Sequence, residues 1–266
     1  MLKLTLMQWS ALAAAAMLVG FSKAGFGSGL GMVATPLMTI ALLGKAKVML
    51  PLMLVVLITG DVFSIIHYPK KIAWRNIAIL VPGCLLGVGV GWVLLILIGD
   101  MSEIKLAGLT GEVILKRMVG GICVFFVGVQ ILLRWRETKL PQNSLPYRPR
   151  AWHGIALGSA AGTTSTLAHA AGPLITLFLL PQKLEKQVFV GTSVAYFFFG
   201  NLIKFVPYAA EGMFTPAIVR TSLVMIPAVV LGTLLGVFLN RRMSSRGFVP
   251  VIYVLTLAMG VDLLVR

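Results

Sequence analysis

The chain has 266 residues, 58% of them hydrophobic and only 12% charged, and its mean hydropathy is +0.96. That much apolar surface cannot be hidden in one soluble core, so the composition excludes a soluble globular protein and points to an integral membrane protein. A formal net charge of +15 would suggest nucleic acid in a soluble domain, but here the lysines and arginines sit in short connections between apolar runs, where they orient a chain in a bilayer. No nucleic-acid partner is expected.

In chain order the apolar segments cover roughly 5–21, 28–43, 46–66, 76–98 and 113–133, then 151–164, 168–181, 187–206, 216–239 and 248–265. Their lengths suit helices, which need about 20 residues to span the hydrocarbon, and they lack the alternation of an outer-membrane barrel. The expected fold is an all-α integral membrane bundle with five segments in each half, the first pair of each half short, broken or re-entrant. The basic start and alanine-rich run at 1–20 resemble a signal peptide, yet the repeat described next includes them, so they read as the first segment. Residues 134–150, RWRETKLPQNSLPYRPR, form a polar, proline-bearing linker between an N-terminal membrane repeat (1–133) and a C-terminal one (151–266). Cys84 and Cys123 lie inside apolar segments without metal or redox spacing and read as small buried hydrophobes.

The halves are related. Gly60-Asp61, Tyr68 and Trp74 match Gly200-Asn201, Tyr208 and Phe214 at one constant separation, and after a five-residue slip Pro82, Gly87 and Gly91 match Pro227, Gly232 and Gly236. With the linker placed in the cytoplasm and sides alternating at each segment, Lys70, Lys71, Arg75, Lys183, Lys186, Arg241, Arg242, Arg246 and the linker's own basic residues fall inside, a majority of the 23. Parallel repeats erase that bias, so inverted repeats are expected. Inverted repeats with interrupted helices are the architecture of secondary transporters, whose sites lie where the repeats meet.

The breaks are then the place for chemistry. In the first, Gly20–Ile40, the glycines Gly25, Gly27, Gly29 and Gly31, with Ser28 among them, would let backbone N–H groups approach an anion, and Lys23 adds a full positive charge. The bland alternative is tight helix packing by the glycines and snorkelling by the lysine. In the second, Gly158–Leu180, Thr163, Thr164, Ser165 and Thr166 offer hydroxyl donors and His169 offers an imidazole able to carry a proton. Hydroxyls inside membrane helices also bond back to the preceding turn, and a lone histidine can be purely structural.

Asp61 and Asn201 hold equivalent places, and a membrane carboxylate normally faces a cavity or a partner. Asp61 is a candidate proton carrier or counter-ion to Lys23; Lys204, one turn beyond Asn201, is a further candidate anion contact. The expected substrate-binding set is therefore Lys23, Gly25, Gly27, Ser28, Gly29, Thr163, Thr164, Ser165, Thr166, His169, Asn201 and Lys204, with Asp61 and His169 as proton-coupling groups. No catalytic residue, metal or cofactor is expected. The expected partners are a small anion, the lipid bilayer of the inner (plasma) membrane and a coupling proton, with homo-oligomerisation left open.

The run from Gly20 to Pro36, the Gly60-Asp61 pair followed by His67-Tyr68 and Trp74, and the diverged second copy together resemble the TauE/SafE sulfite exporter family, also called the sulfonate uptake permease group. The resemblance covers nearly the whole chain. It implies a multi-pass permease for sulfite, sulfoacetate or a related organosulfonate, driven by an ion gradient. Family members often carry a glycine-rich motif in the second half as well, where this chain has Thr163–Thr166 and His169. The alternatives are uptake in place of export and, from a different class, an intramembrane enzyme with Asp61 and His169 as an acid/base pair.

Overall fold

A computed structural model describes residues 4–27, 46–98, 148–169 and 171–244 without interruption, together with scattered positions elsewhere. The segments expected at 28–43, 113–133 and 248–265 lie largely outside the described residues, as do Ser28, Gly29, Gly31 and Cys123. Eight helices carry the architecture among the described residues. They are α1 (Leu6–Phe26), α2 (Ala46–His67), α3 (Trp74–Ile98), α4 (Ala151–Ala168), α5 (Gly172–Leu179), α6 (Lys186–Ala210), α7 (Pro216–Val224) and α8 (Ile226–Arg242). A 3-10 turn at Leu180–Gln182 follows α5, and one short antiparallel ladder pairs β1 (Lys105–Leu106) with β2 (Leu109–Thr110).

Helices α1, α3 and α6, and Val48–His67 of α2, are long and apolar enough to cross a membrane. The pair α7 and α8, bent by 40° at Met225, makes a fifth span if counted as one. The sequence pattern read 216–239 as a single segment; the bend divides it. The chain is thus an essentially all-helical, multi-pass membrane protein.

Both breaks lie later than their glycine and hydroxyl content suggests. Helix α1 starts at a capping box, Thr5 with Gln8, and continues through Gly20, Lys23 and Gly25 to end at Gly27, whose φ of +84° no side chain takes easily. Lys23 and Gly25 are therefore helical. Helix α4 likewise carries Thr163–Thr166 inside it and ends at His169, which takes the left-handed conformation at φ 51°. Alanine and other small residues keep both helices going where glycine alone would not.

The other glycines bring helices together. A Cβ on Gly20 would stand 2.1 Å from the Val229 carbonyl oxygen, and one on Gly232 would stand 1.9 Å from that of Met17, so α1 and α8 touch backbone to backbone. The same arrangement joins α3 to α4: a Cβ on Gly162 would meet the Cys84 carbonyl at 2.5 Å, and one on Gly87 the Ser159 carbonyl at 2.0 Å. Lipid supplies no hydrophobic drive between helices, so close approach through small residues is what holds such pairs. Each pair takes one helix from each half. Helix α2 packs on α1 and α8, α6 packs on α3, and α2 and α6 pack on each other.

Contacts at the helix ends fix the directions. The Tyr68 hydroxyl, just past α2, donates to the Ala24 carbonyl in the last turn of α1 at 2.7 Å, so α1 and α2 finish together. The Tyr208 hydroxyl near the end of α6 donates to the Thr166 carbonyl in the last turn of α4 at 2.6 Å, so α4 and α6 finish together. Lys71 with Glu185 and Asn76 with Gln182 join the starts of α3 and α6, while Trp92 with Glu211 joins their far ends. The exposed Lys71–Glu185 pair marks one end of the bundle and contributes little to stability.

Candidate functional site

Where α1, α2, α4 and α6 come together, the apolar bundle holds two neighbouring groups of charged and polar side chains. Lys23 is 3% exposed, Asp61 0%, Asn201 2% and Lys204 1%. Charges are rarely buried like this without a partner, because each loses its hydration.

Gly60 opens the way for the first pair. A Cβ there would lie 3.4 Å from Lys23 Cδ, so the lysine stem passes along α2 and its ammonium forms a salt bridge with Asp61 Oδ1. The second carboxylate oxygen accepts from Asn201 Nδ2 at 2.6 Å. The Lys23 ammonium also stands 5.3 Å from the centre of the Phe197 ring, within cation–π range. Asp61 is the counter-ion of Lys23, and its two oxygens tie α1 to α2 and α2 to α6.

The second lysine has different company. Lys204 Nζ donates to Ser165 Oγ at 2.8 Å and to His169 Nδ1 at 3.1 Å, and approaches the Ser165 carbonyl at 3.4 Å. His169 reaches across to α2, where its Nε2 donates to the Leu50 carbonyl at 3.1 Å. A ring nitrogen facing a carbonyl must carry hydrogen, and one facing an ammonium must accept, so the histidine is the neutral Nε2–H tautomer. Its left-handed backbone at the end of α4 turns the ring into this position.

The other expected site residues are placed as follows. Thr163, Thr164 and Thr166 donate to carbonyls one turn back, at Ser159, Ala160 and Gly162, and Thr163 also reaches the Gly87 carbonyl. They serve the helix and its contact with α3, and the run of free hydroxyl donors reduces to Ser165. Gly25 packs against Gly236, where a Cβ would meet its Cα at 3.4 Å, which is the tight-packing alternative. Gly27 provides the turn and lies against Ser193. Lys23, Asp61, Asn201, Lys204, Ser165 and His169 are brought together; Ser28 and Gly29 lie outside the described residues.

Sequence reasoning gave no role to Tyr68, Tyr208, Phe197 or the Leu50 carbonyl. The two tyrosines were visible as repeat matches, and that match was the available signal: each holds the last turn of the first helix in its own half. Nothing in the composition of α2 marks the Leu50 carbonyl as the acceptor for His169.

A multi-pass helical bundle with an ionic cluster enclosed among its spans defines an integral membrane protein built around an intramembrane charged site. The chain belongs to the TauE/SafE family: the family model described as Sulfite exporter TauE/SafE matches residues 12–263, nearly its whole length. That is a transporter family for sulfur anions. No curated protein and no solved structure matches the chain.

Proposed function

We propose that this protein is a secondary-active transporter that exports a small sulfur-containing anion, such as sulfite, sulfoacetate or a related organosulfonate, across the inner (plasma) membrane by alternating access. One observation carries the reading: the Lys23–Asp61–Asn201 and Lys204–Ser165–His169 groups are buried together at the contact between helices of the two halves. Intramembrane charges are costly and mark ion or substrate paths. With two ammoniums and one carboxylate, this cluster favours an anion.

The repeat reading fits the same arrangement. Helices α1 and α2 finish at the Tyr68 end and α4 and α6 at the Tyr208 end, as inverted repeats require, with 134–150 cytoplasmic. The reciprocal pairs α1–α8 and α3–α4 then exchange under the repeat's two-fold axis, which passes by Asp61 and Asn201. A site on such an axis can be opened to either side by rocking the pairs. The coupling ion in this reading is a proton, with Asp61 the candidate carrier. His169 has both ring nitrogens engaged and fits better as a positioning group for Lys204. The same engagement disfavours an Asp61–His169 acid/base pair, since each is committed to other partners.

The test is flux of radiolabelled sulfite, sulfoacetate and taurine in proteoliposomes. Saturable movement of one of them, abolished by Lys204→Met, is expected; indifference of every flux to both Lys204→Met and Lys23→Ala would sink the site assignment.

A further inference from the structure

Charge counting within the cluster leads to a rule about what it holds. Lys23 is neutralised by direct contact with Asp61, and Asn201 fixes the second carboxylate oxygen without adding charge. Among the described residues Lys204 has no carboxylate in direct contact: its partners are a hydroxyl, a carbonyl and a neutral imidazole. Among the described residues the other carboxylates are far off along the helices, Glu185 paired with Lys71 at one end and Glu211 accepting from Trp92 at the other. The cluster therefore sets two lysines against one carboxylate among the described residues, and with both lysines protonated it holds one positive charge more than it balances, on a side chain that is 1% exposed.

The repeat shows where that single charge comes from. Lys23 and Ser165 lie in the last turns of α1 and α4, each one residue before the carbonyl that the tyrosine of its half holds. Lys204 and Ser64 stand three residues beyond Asn201 and Asp61. Lysine and serine thus stand in swapped places in the two halves, Ser64 bonding back to the Gly60 carbonyl at 2.6 Å and Ser165 holding Lys204, while only one half contributes an acid. With aspartate at both Asp61 and Asn201 the cluster would be neutral; with asparagine at both it would carry two charges.

We infer, on the transporter reading given above, that the site selects oxyanions bearing a single negative charge, with Lys204 as the cation that meets them. A sulfonate with no second ionised group, R–SO₃⁻, or hydrogensulfite fits this rule; sulfate, fully ionised sulfite and sulfoacetate, whose carboxylate adds a second charge, do not, so the rule narrows the substrates proposed above. A monoanion brings the cluster to neutrality, whereas a dianion leaves a net charge buried away from water, which is strongly penalised. The Asp61 carboxylate sets the charge of the accepted anion without touching it.

The experiment is equilibrium binding to the full-length protein in detergent, by calorimetry, with methanesulfonate, sulfate and sulfite as probes between about pH 6 and 8. Methanesulfonate carries one charge and sulfate two throughout that range, while sulfite passes from one to two. The wild type is expected to bind methanesulfonate at least about thirtyfold more tightly than sulfate. Its sulfite-to-methanesulfonate affinity ratio falls about tenfold per pH unit once sulfite is mostly doubly ionised; taking the ratio cancels any titration of the protein itself. Asp61→Asn raises the cluster's charge by one and shifts the preference toward sulfate by at least about tenfold. The wild-type ratios stand even if that variant does not fold. Equal affinity for sulfate and methanesulfonate, or a folded Asp61→Asn with an unchanged preference, would overturn the charge rule while leaving the anion site in place. Failure of all three anions to bind would overturn the transporter reading and this inference with it.

Discussion

Asp61 and Asn201 stand 140 residues apart at equivalent places in the two halves and hydrogen-bond directly, Asn201 Nδ2 donating to Asp61 Oδ2 at 2.6 Å. Two aspartates at this distance would repel, and two asparagines would leave Lys23 without its counter-ion. The pairing of one acid with one amide is what lets the two side chains meet and still balance a buried lysine.

Breaking the Lys23–Asp61 pair on one side costs more than removing it altogether. Asp61→Ala leaves an ammonium buried and unpaired, at about 3–5 kcal/mol, whereas replacing both residues by apolar ones of similar size, as in Lys23→Met with Asp61→Leu, recovers most of that loss. Thermal unfolding in detergent of the two variants beside the wild type measures the difference.

The glycine contacts predict a sharp positional contrast on α3. At Gly87 a Cβ would fall 2.0 Å from the Ser159 backbone oxygen, so Gly87→Leu forces α3 from α4 and abolishes the folded, monodisperse protein. At Gly89, two residues away, nothing lies within 4 Å, and Gly89→Leu is tolerated. Size-exclusion profiles of the two variants decide the point.

Removing either tyrosine hydroxyl frees a carbonyl in a helix's last turn. Tyr68→Phe and Tyr208→Phe are each expected to cost about 1–3 kcal/mol in stability, the penalty of an unsatisfied buried acceptor. Of the two, Tyr208→Phe weakens anion binding further, because Thr166 adjoins Ser165, the hydroxyl that holds Lys204. Paired melting and binding curves separate the effects.

His169→Gln tests positioning against proton carriage. If the ring only aims Lys204, the variant weakens anion binding about tenfold and leaves the dependence of flux on the pH gradient intact. Loss of that dependence with affinity preserved would make the histidine a carrier.

Much of this was legible in the sequence because membrane physics is strict. Runs of spanning length marked helices, and the matched glycines, tyrosines and Asp61/Asn201 marked residues that make contacts between helices. The break positions were misjudged at Gly25 and at Thr163–Thr166 because glycine and hydroxyl content marks close packing and back-bonding as readily as an interruption. The roles of the charges were legible only in part: the Lys23–Asp61 pairing was one of the stated options. By contrast, the setting of Lys204 beside a neutral imidazole depends on side chains of α4 and α6 together with a backbone carbonyl of α2.

The most direct measurement is saturable sulfite flux in proteoliposomes carrying wild type or Lys204→Met, a substitution of similar length that replaces a buried lysine with no carboxylate partner among the described residues and so preserves the fold. The account predicts sulfite transport by the wild type and a loss of at least about 100-fold in the variant. Equal flux through a folded Lys204→Met would contradict it.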